Sequence, residues 1–195
     1  RDDALIPFGR FGRAVAKHFA PRARLWCTLN EPMVYIYSGY LEGNFPPFEK
    51  RSGPAAVIPV LEQLLRAHAL AYAILKQEAQ KRGAAIEVGY AQHTRAFEPL
   101  RTYHPLDRVV ARVIEQAFIW DFSDAVASGV LAVTNTSHRA PIAGLKGTQD
   151  YLGINYYGRF YVKTDLLAPT KFQILMHDPE TPEVDKPSDL GWASY

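Results

Sequence analysis

Cysteine is almost missing from this chain. One thiol, Cys27, among 195 residues excludes an intrachain disulfide, and it fits a reducing compartment or use as a small core residue. A cytoplasmic setting is therefore expected. Excess charge of either sign is missing too: Lys plus Arg is 22 and Asp plus Glu is 20, a net of +2. That balance leaves no electrostatic footprint for nucleic acid or an anionic bilayer, and neither is expected as a partner. Long apolar runs are absent. The longest, between Ala67 and Leu75, contains His68 and has close polar flanks, far short of the roughly 18–20 residues a bilayer span needs. The opening Arg1-Asp2-Asp3-Ala4 has no apolar core of a secretory signal. The histidines at 18, 93, 104, 138 and 177 show no metal-ligand spacing, so neither metal nor cofactor is expected. Gly and Pro, at 13 and 14, are too scattered for low complexity, and no repeat is visible.

What is present is a 48% apolar composition with 12% aromatics, enough for one soluble core with a ligand surface. Helix-period and strand-like segments alternate. Ala4, Phe8, Phe11, Val15 and Phe19 predict a helix over 4–19, weakened by Gly9 and Gly12 and closed by Pro21. Leu25 to Leu29 reads as a strand stopped at Asn30-Glu31-Pro32, because Pro32 cannot donate to a ladder. Residues 33–53, punctuated by Gly and Pro, read as a long loop. Val57, Leu61, Leu64, Leu65, His68, Tyr72, Leu75 and Ala79 form the stripe of a helix over 55–82, capped by Gly83. On that stripe His68 reads as a satisfied core histidine.

A strand follows over 85–91, then a helix over 107–128 with Asp107 as N-cap, then a strand over 151–157. The tail from 165 reads as loop. This α-β-α-β-α-β order implies parallel strands joined by right-handed crossovers. Three parallel strands alone would have two open edges, so the chain reads as a slice of a larger α/β barrel or sheet.

Polar residues sit at the expected C-terminal ends of the three strands: Asn30 and Glu31, Gln92 and His93, Asn155 and Tyr157. In a (β/α) barrel that end builds the active site. A carboxylate beside an amide suits a sugar, whose many hydroxyls each need a partner once water leaves.

Several of these segments match one family in order. Trp26-Cys27-Thr28-Leu29-Asn30-Glu31-Pro32 resembles the W-x-T-x-N-E-P segment of glycoside hydrolase family 1, the β-glucosidases and β-galactosidases. Gly39-Tyr40-Leu41-Glu42-Gly43 resembles its G-Y-x-x-G, and Ala67-His68-Ala69 its A-H-A. Asp150-Tyr151-Leu152-Gly153-Ile154-Asn155-Tyr156-Tyr157 resembles its D-F-L-G-I-N-Y-Y strand, and Asp189-Leu190-Gly191-Trp192 its D-x-G-W.

The resemblance implies a partial (β/α)8 TIM barrel: strands four to six with their helices, as the central segment of one barrel domain. It implies a retaining β-glycosidase acting on β-glucoside or β-galactoside substrates. Glu31 matches the general acid/base and Asn30 the amide holding the sugar 2-hydroxyl. Tyr157 matches the tyrosine that hydrogen-bonds the nucleophile, and Asn155 a support of that network. Met33 and His93 are expected on the leaving-group side.

The family's E-N-G nucleophile motif has no match here, nor do its N-terminal Gln and His-Trp sugar ligands. Remaining barrel segments or another copy of the chain are then expected as partners, and the chain alone is expected to be inactive. The other reading is a non-catalytic truncated barrel used for binding or assembly.

Overall fold

The computed structural model describes residues 4–165, 171–176, 178, 179 and 189. The chain divides into two compact units. One holds residues 1–92 and 121–154, the other 93–120 and 155–195.

The first unit begins with α1 (Leu5–Phe19). Gly9 does not break this helix. Its missing side chain lets α1 lie against α3 (Ile58–Gln80), since a Cβ there would stand 3.2 Å from Leu70. Ala16 and Ala20 of α1, Leu75 and Ala79 of α3, and Ile86 and Val88 form one core cluster, with Trp26 and Tyr72 packed on it. Small residues at the helix contacts bring the helices close to the strands. Glu78 of α3 is 5% exposed, and Arg13, Lys81 and Arg82 pair with it.

The helical stretch Pro54–Gln80 is long and apolar enough, by length and composition, to cross a bilayer. A count of consecutive apolar residues misses it because Glu62 and Arg66 interrupt the run. Its packing is that of a core helix, with Leu61, Leu65, His68, Ile74 and Leu75 buried against protein.

The main sheet has strand order β1-β2-β5-β6. Strand β1 (Leu25–Asn30) pairs in parallel with β2 (Glu87–Pro99). Gly89 is required here, since a Cβ would fall 2.1 Å from the Tyr151 carbonyl oxygen at the start of β5 (Tyr151–Thr164). The first unit also contains α2 (Pro32–Ile36), α5 (Asp121–Ser128) and a small antiparallel pair, β3 (Val130–Ala132) with β4 (Arg139–Pro141).

In the second unit α4 (Pro105–Glu115) supplies Ala111 to a core with Phe97, Ile119 and Val162. Its N-cap is His104, not Asp107: the His104 ring accepts from the Asp107 amide at 3.4 Å. Asp107 is fully buried one turn further in. It accepts from Arg101 Nε and Nη2, both at 2.8 Å, and from the Thr164 amide at 2.9 Å. Although burial opposes it, these donors hold the carboxyl well below the usual range. Strand β6 (Phe172–Leu175) pairs antiparallel with the end of β5.

The structure corrects several sequence expectations. Residues 33–53 are not all loop, because α2 runs into a π turn over Tyr37–Leu41. The tail is not all loop, since β6 lies in it. The helix over 107–128 starts at Pro105 and carries a π turn at Gln116–Trp120 between α4 and α5. Cys27 is exposed rather than in the core, because its side chain alternates with Trp26, which takes the core face of β1. The D-x-G-W tryptophan Trp192, and His177, lie outside the described residues.

The main correction concerns β2 and β5. Both continue well past the polar residues at which they were expected to stop. Gln92 and His93, and likewise Asn155 and Tyr157, are interior strand residues rather than strand ends. Phe97 and Val162, further along, bury against α4, and that packing sustains strands the local sequence did not signal.

Candidate active site

At the exit of β1 the backbone does something unusual. Cys27 pairs with Gly89 and Asn30 with Ala91, so β1 spends three residues where β2 spends two. The extra residue is a bulge, and it inverts which face later side chains point to. Glu31 then adopts φ 51° and ψ 57°, a left-handed conformation that residues with side chains avoid. Its amide donates to the Ala91 carbonyl at 2.8 Å, and its own carbonyl accepts from Val34 and Tyr35 at 3.0 and 3.2 Å. Pro32, with no amide hydrogen to satisfy, starts α2. Strand, bulge, left-handed residue and helix thus follow within a few positions, and Glu31 sits half-buried at the corner.

Asn30 beside it is exposed, and Met33 on α2 is buried. The G-Y-x-x-G segment folds the following loop back on itself. A Cβ on Gly39 would come 2.9 Å from the Pro46 carbonyl, and Gly43 has φ +71°. Tyr40 packs edge-on to Tyr35, with ring centroids 5.5 Å apart, and Arg51 lies over Tyr40. Burial, with a hydrogen bond to Glu42, pushes the Tyr37 phenol up to about 12.

Beneath the strand lies His68, fully buried on α3. Its Nδ1 is 2.6 Å from Thr28 Oγ1, and its Nε2 is 2.9 Å from the Thr148 carbonyl. The Tyr90 and Phe122 rings pack edge-on against it. Burial pulls its pKa down to about 4 against the opposing pull of the Thr148 carbonyl. The core reading of this histidine therefore stands.

Asp150, which opens the D-Y-L-G-I-N-Y-Y segment, ties strand starts together. It accepts from the Val88 amide at 2.7 Å and from the Tyr72 hydroxyl at 2.9 Å, and pairs with Lys76. Burial opposes its charge, yet these partners hold its pKa down.

In the second unit His93 is buried and stacks on Tyr157, with centroids 4.8 Å apart and planes 16° from parallel. Arg95, two residues along the same face of β2, points Nε at His93 Nε2 at 3.4 Å and lies over the Phe160 ring at 3.9 Å. The Asn155 carbonyl accepts from Thr94 at 3.2 Å. The structure thus gathers Asn30, Glu31 and Met33 at the β1–α2 corner of one unit, and His93 with Tyr157 in the other. Two members escaped the sequence reading. Thr28 stands inside the W-x-T-x-N-E-P segment, but nothing in the string ties it to His68. Arg95 was visible as the same-face neighbour of His93, two positions on. Among the described residues no three His, Cys, Asp or Glu side chains converge as metal ligands.

Comparison with known proteins gives a consistent result. A family model described as glycosyl hydrolase family 1 matches residues 3–195. A β-galactosidase of Saccharolobus solfataricus is 30% identical over 198 residues, with 96% of this chain and 37% of the relative covered. Beta-glucosidase 16 of Arabidopsis thaliana is 28% identical, with 83% of this chain and 35% of the relative covered. Among solved structures, a β-glycosidase from Pyrococcus horikoshii superposes with a TM-score of 0.82 at 27% identity, covering 100% of this chain and 42% of that one. The Thermotoga maritima β-glucosidase bound to glucoimidazole gives 0.78 at 21% identity, with 99% and 42% covered. The chain spans well under half the length of these relatives, and its fold is a part of their barrel.

Proposed function

The chain belongs to glycosyl hydrolase family 1, and from that premise we propose that it contributes the proton-transfer side of a retaining β-glycosidase site. In this reading Glu31 protonates the glycosidic oxygen as the bond breaks, then takes a proton from the water that releases the sugar. The carboxylate that attacks the anomeric carbon comes from outside these residues, 5–5.5 Å from Glu31 in a retaining geometry. Asn30 holds the sugar 2-hydroxyl, Tyr157 hydrogen-bonds the nucleophile, and Asn155 supports that network. Met33 and His93 belong to the leaving-group side. The substrate class is a β-glucoside or β-galactoside, and one barrel domain contains the whole site.

One observation carries the reading. Glu31, inside the matched N-E-P segment, is turned out at the strand exit by a bulge and a left-handed backbone, two costly local features in succession. Proteins hold such strain where a side chain must be aimed.

The test is Glu31→Gln in the full-length protein. Hydrolysis of alkyl β-glycosides, whose leaving groups need protonation, is expected to fall roughly 100-fold or more. Formation of the glycosyl-enzyme from dinitrophenyl glycosides is expected to survive. Added azide restores turnover and yields the β-glycosyl azide, since an anion needs no general base. Tyr157→Phe slows both substrate types alike. Equal loss on both substrates in Glu31→Gln, with no azide effect, would refute the assignment.

A further inference from the structure

His68 is a fully buried titratable group of the first unit that the proposed chemistry does not use, and it sits directly under the bulge. Its ring is fixed on three sides: α3 carries it, and the Tyr90 and Phe122 rings clamp it. Both nitrogens are engaged. The Thr148 carbonyl at Nε2 can only accept, so Nε2 carries the hydrogen. That carbonyl is itself held in a tight turn, with the Thr148 hydroxyl bonded to the Leu145 carbonyl at 2.6 Å. In the neutral ring Nδ1 is then a bare acceptor, and the Thr28 hydroxyl 2.6 Å away donates to it.

Thr28 is no ordinary strand residue. It falls between Cys27 and Asn30, where the register shifts, and its one hydroxyl hydrogen is shared between His68 Nδ1 at 2.6 Å and the Gly89 carbonyl, which accepts from Oγ1 at the longer 3.1 Å. Its side chain therefore occupies the point where the regular ladder is interrupted, three residues before Glu31. Were the bulge to slide out, Asn30 and Glu31 would exchange faces and the Glu31 amide would lose Ala91.

We propose that His68 is a positioning residue that, through the Thr28 hydroxyl, pins the β1 bulge and so fixes the direction of the Glu31 carboxylate. The chain of contact runs from the Thr148 turn to the imidazole, to the Thr28 hydroxyl, to the bulge, to Glu31. The kinetic part rests on the reading of Glu31 as acid/base; the structural part does not.

The test uses four variants of the full-length protein. Asn at position 68 keeps an acceptor where Nδ1 stood, and Gln keeps a donor where Nε2 stood. If the Thr28 link matters, His68→Asn and Thr28→Ser retain function. His68→Gln and Thr28→Val lose kcat by about 100-fold, the cost of a small misplacement, with KM little changed. Hydrogen exchange gives a readout independent of activity: the Glu31 amide becomes fast-exchanging in His68→Gln and Thr28→Val only. Imidazole 15N NMR is expected to show a neutral Nε2–H tautomer. A wild-type protein inactive on all aryl β-glycosides would remove the functional reading and leave exchange and NMR to decide the positioning role. An Nδ1–H tautomer, or a folded Thr28→Val protein that keeps both its kcat and Glu31 protection, would overturn the proposal.

Discussion

Glu31 holds a conformation that costs on the order of 1 kcal/mol for any residue with a Cβ, and it holds it at a β-bulge. The cost is offset by the amide bond to Ala91 and by the two α2 amides that its carbonyl accepts. His68, close beneath, sets a pH dependence. Its folded pKa of about 4 lies below the ordinary 6.5, so the unfolded chain binds the proton first as pH falls. Its stability is fully present above pH 6.5 and is lost progressively between 6.5 and 4, by about 3 kcal/mol in all. Urea unfolding of wild type and His68→Asn at pH 7 and pH 4.5 checks this: the variant is expected to lose less stability over that interval. An identical loss in both would show that His68 does not bind the proton.

At the scale of elements, buried polar ties hold strands that the local pattern does not. Asp107 receives donors from Arg101 and from Thr164, joining the start of α4 to the end of β5 within the second unit. Removing the carboxylate leaves these donors unpaired around a fully buried position. Asp107→Ala is expected to cost on the order of 3 kcal/mol in chemical denaturation, against under 0.5 kcal/mol for the exposed pair partner change Arg24→Ala. Because the Asp107 pKa is depressed, its contribution is present above the ordinary carboxylate value of 3.8 and disappears as pH falls through the lower folded value. A wild type and Asp107→Ala pair that differ equally at pH 7 and at pH 2 would contradict the pairing as the source.

At the scale of the whole molecule, the first unit leaves apolar side chains of β5 bare: Ile154 is 66% exposed and Leu152 37%, two positions apart on one face of that strand. Parallel strands persist only with both faces buried, which supports the reading that further barrel segments, or another copy, cover this face. The 195-residue polypeptide on its own is expected to associate. Sedimentation velocity should show concentration-dependent species heavier than 21.9 kDa, and Ile154→Lys should shift them toward the monomer. A sharp monomer at all concentrations would contradict the assignment of this face as an interface.

The sequence by itself determined the element order through α1, β1, α3 and the start of β2, because apolar spacing and Gly or Pro punctuation act over a few residues. It also determined the family resemblance and the position of Glu31, since those motifs are contiguous strings. Only the tertiary structure decided the rest. The continuation of β2 to Pro99 and of β5 to Thr164 depends on packing against α4. The bulge at Thr28 exists only relative to β2. The partners of His68 lie 40 and 80 residues away in the chain, beyond the reach of any local pattern. What a residue is can be read from the string; which way Glu31 points depends on groups that meet only when the chain closes on itself.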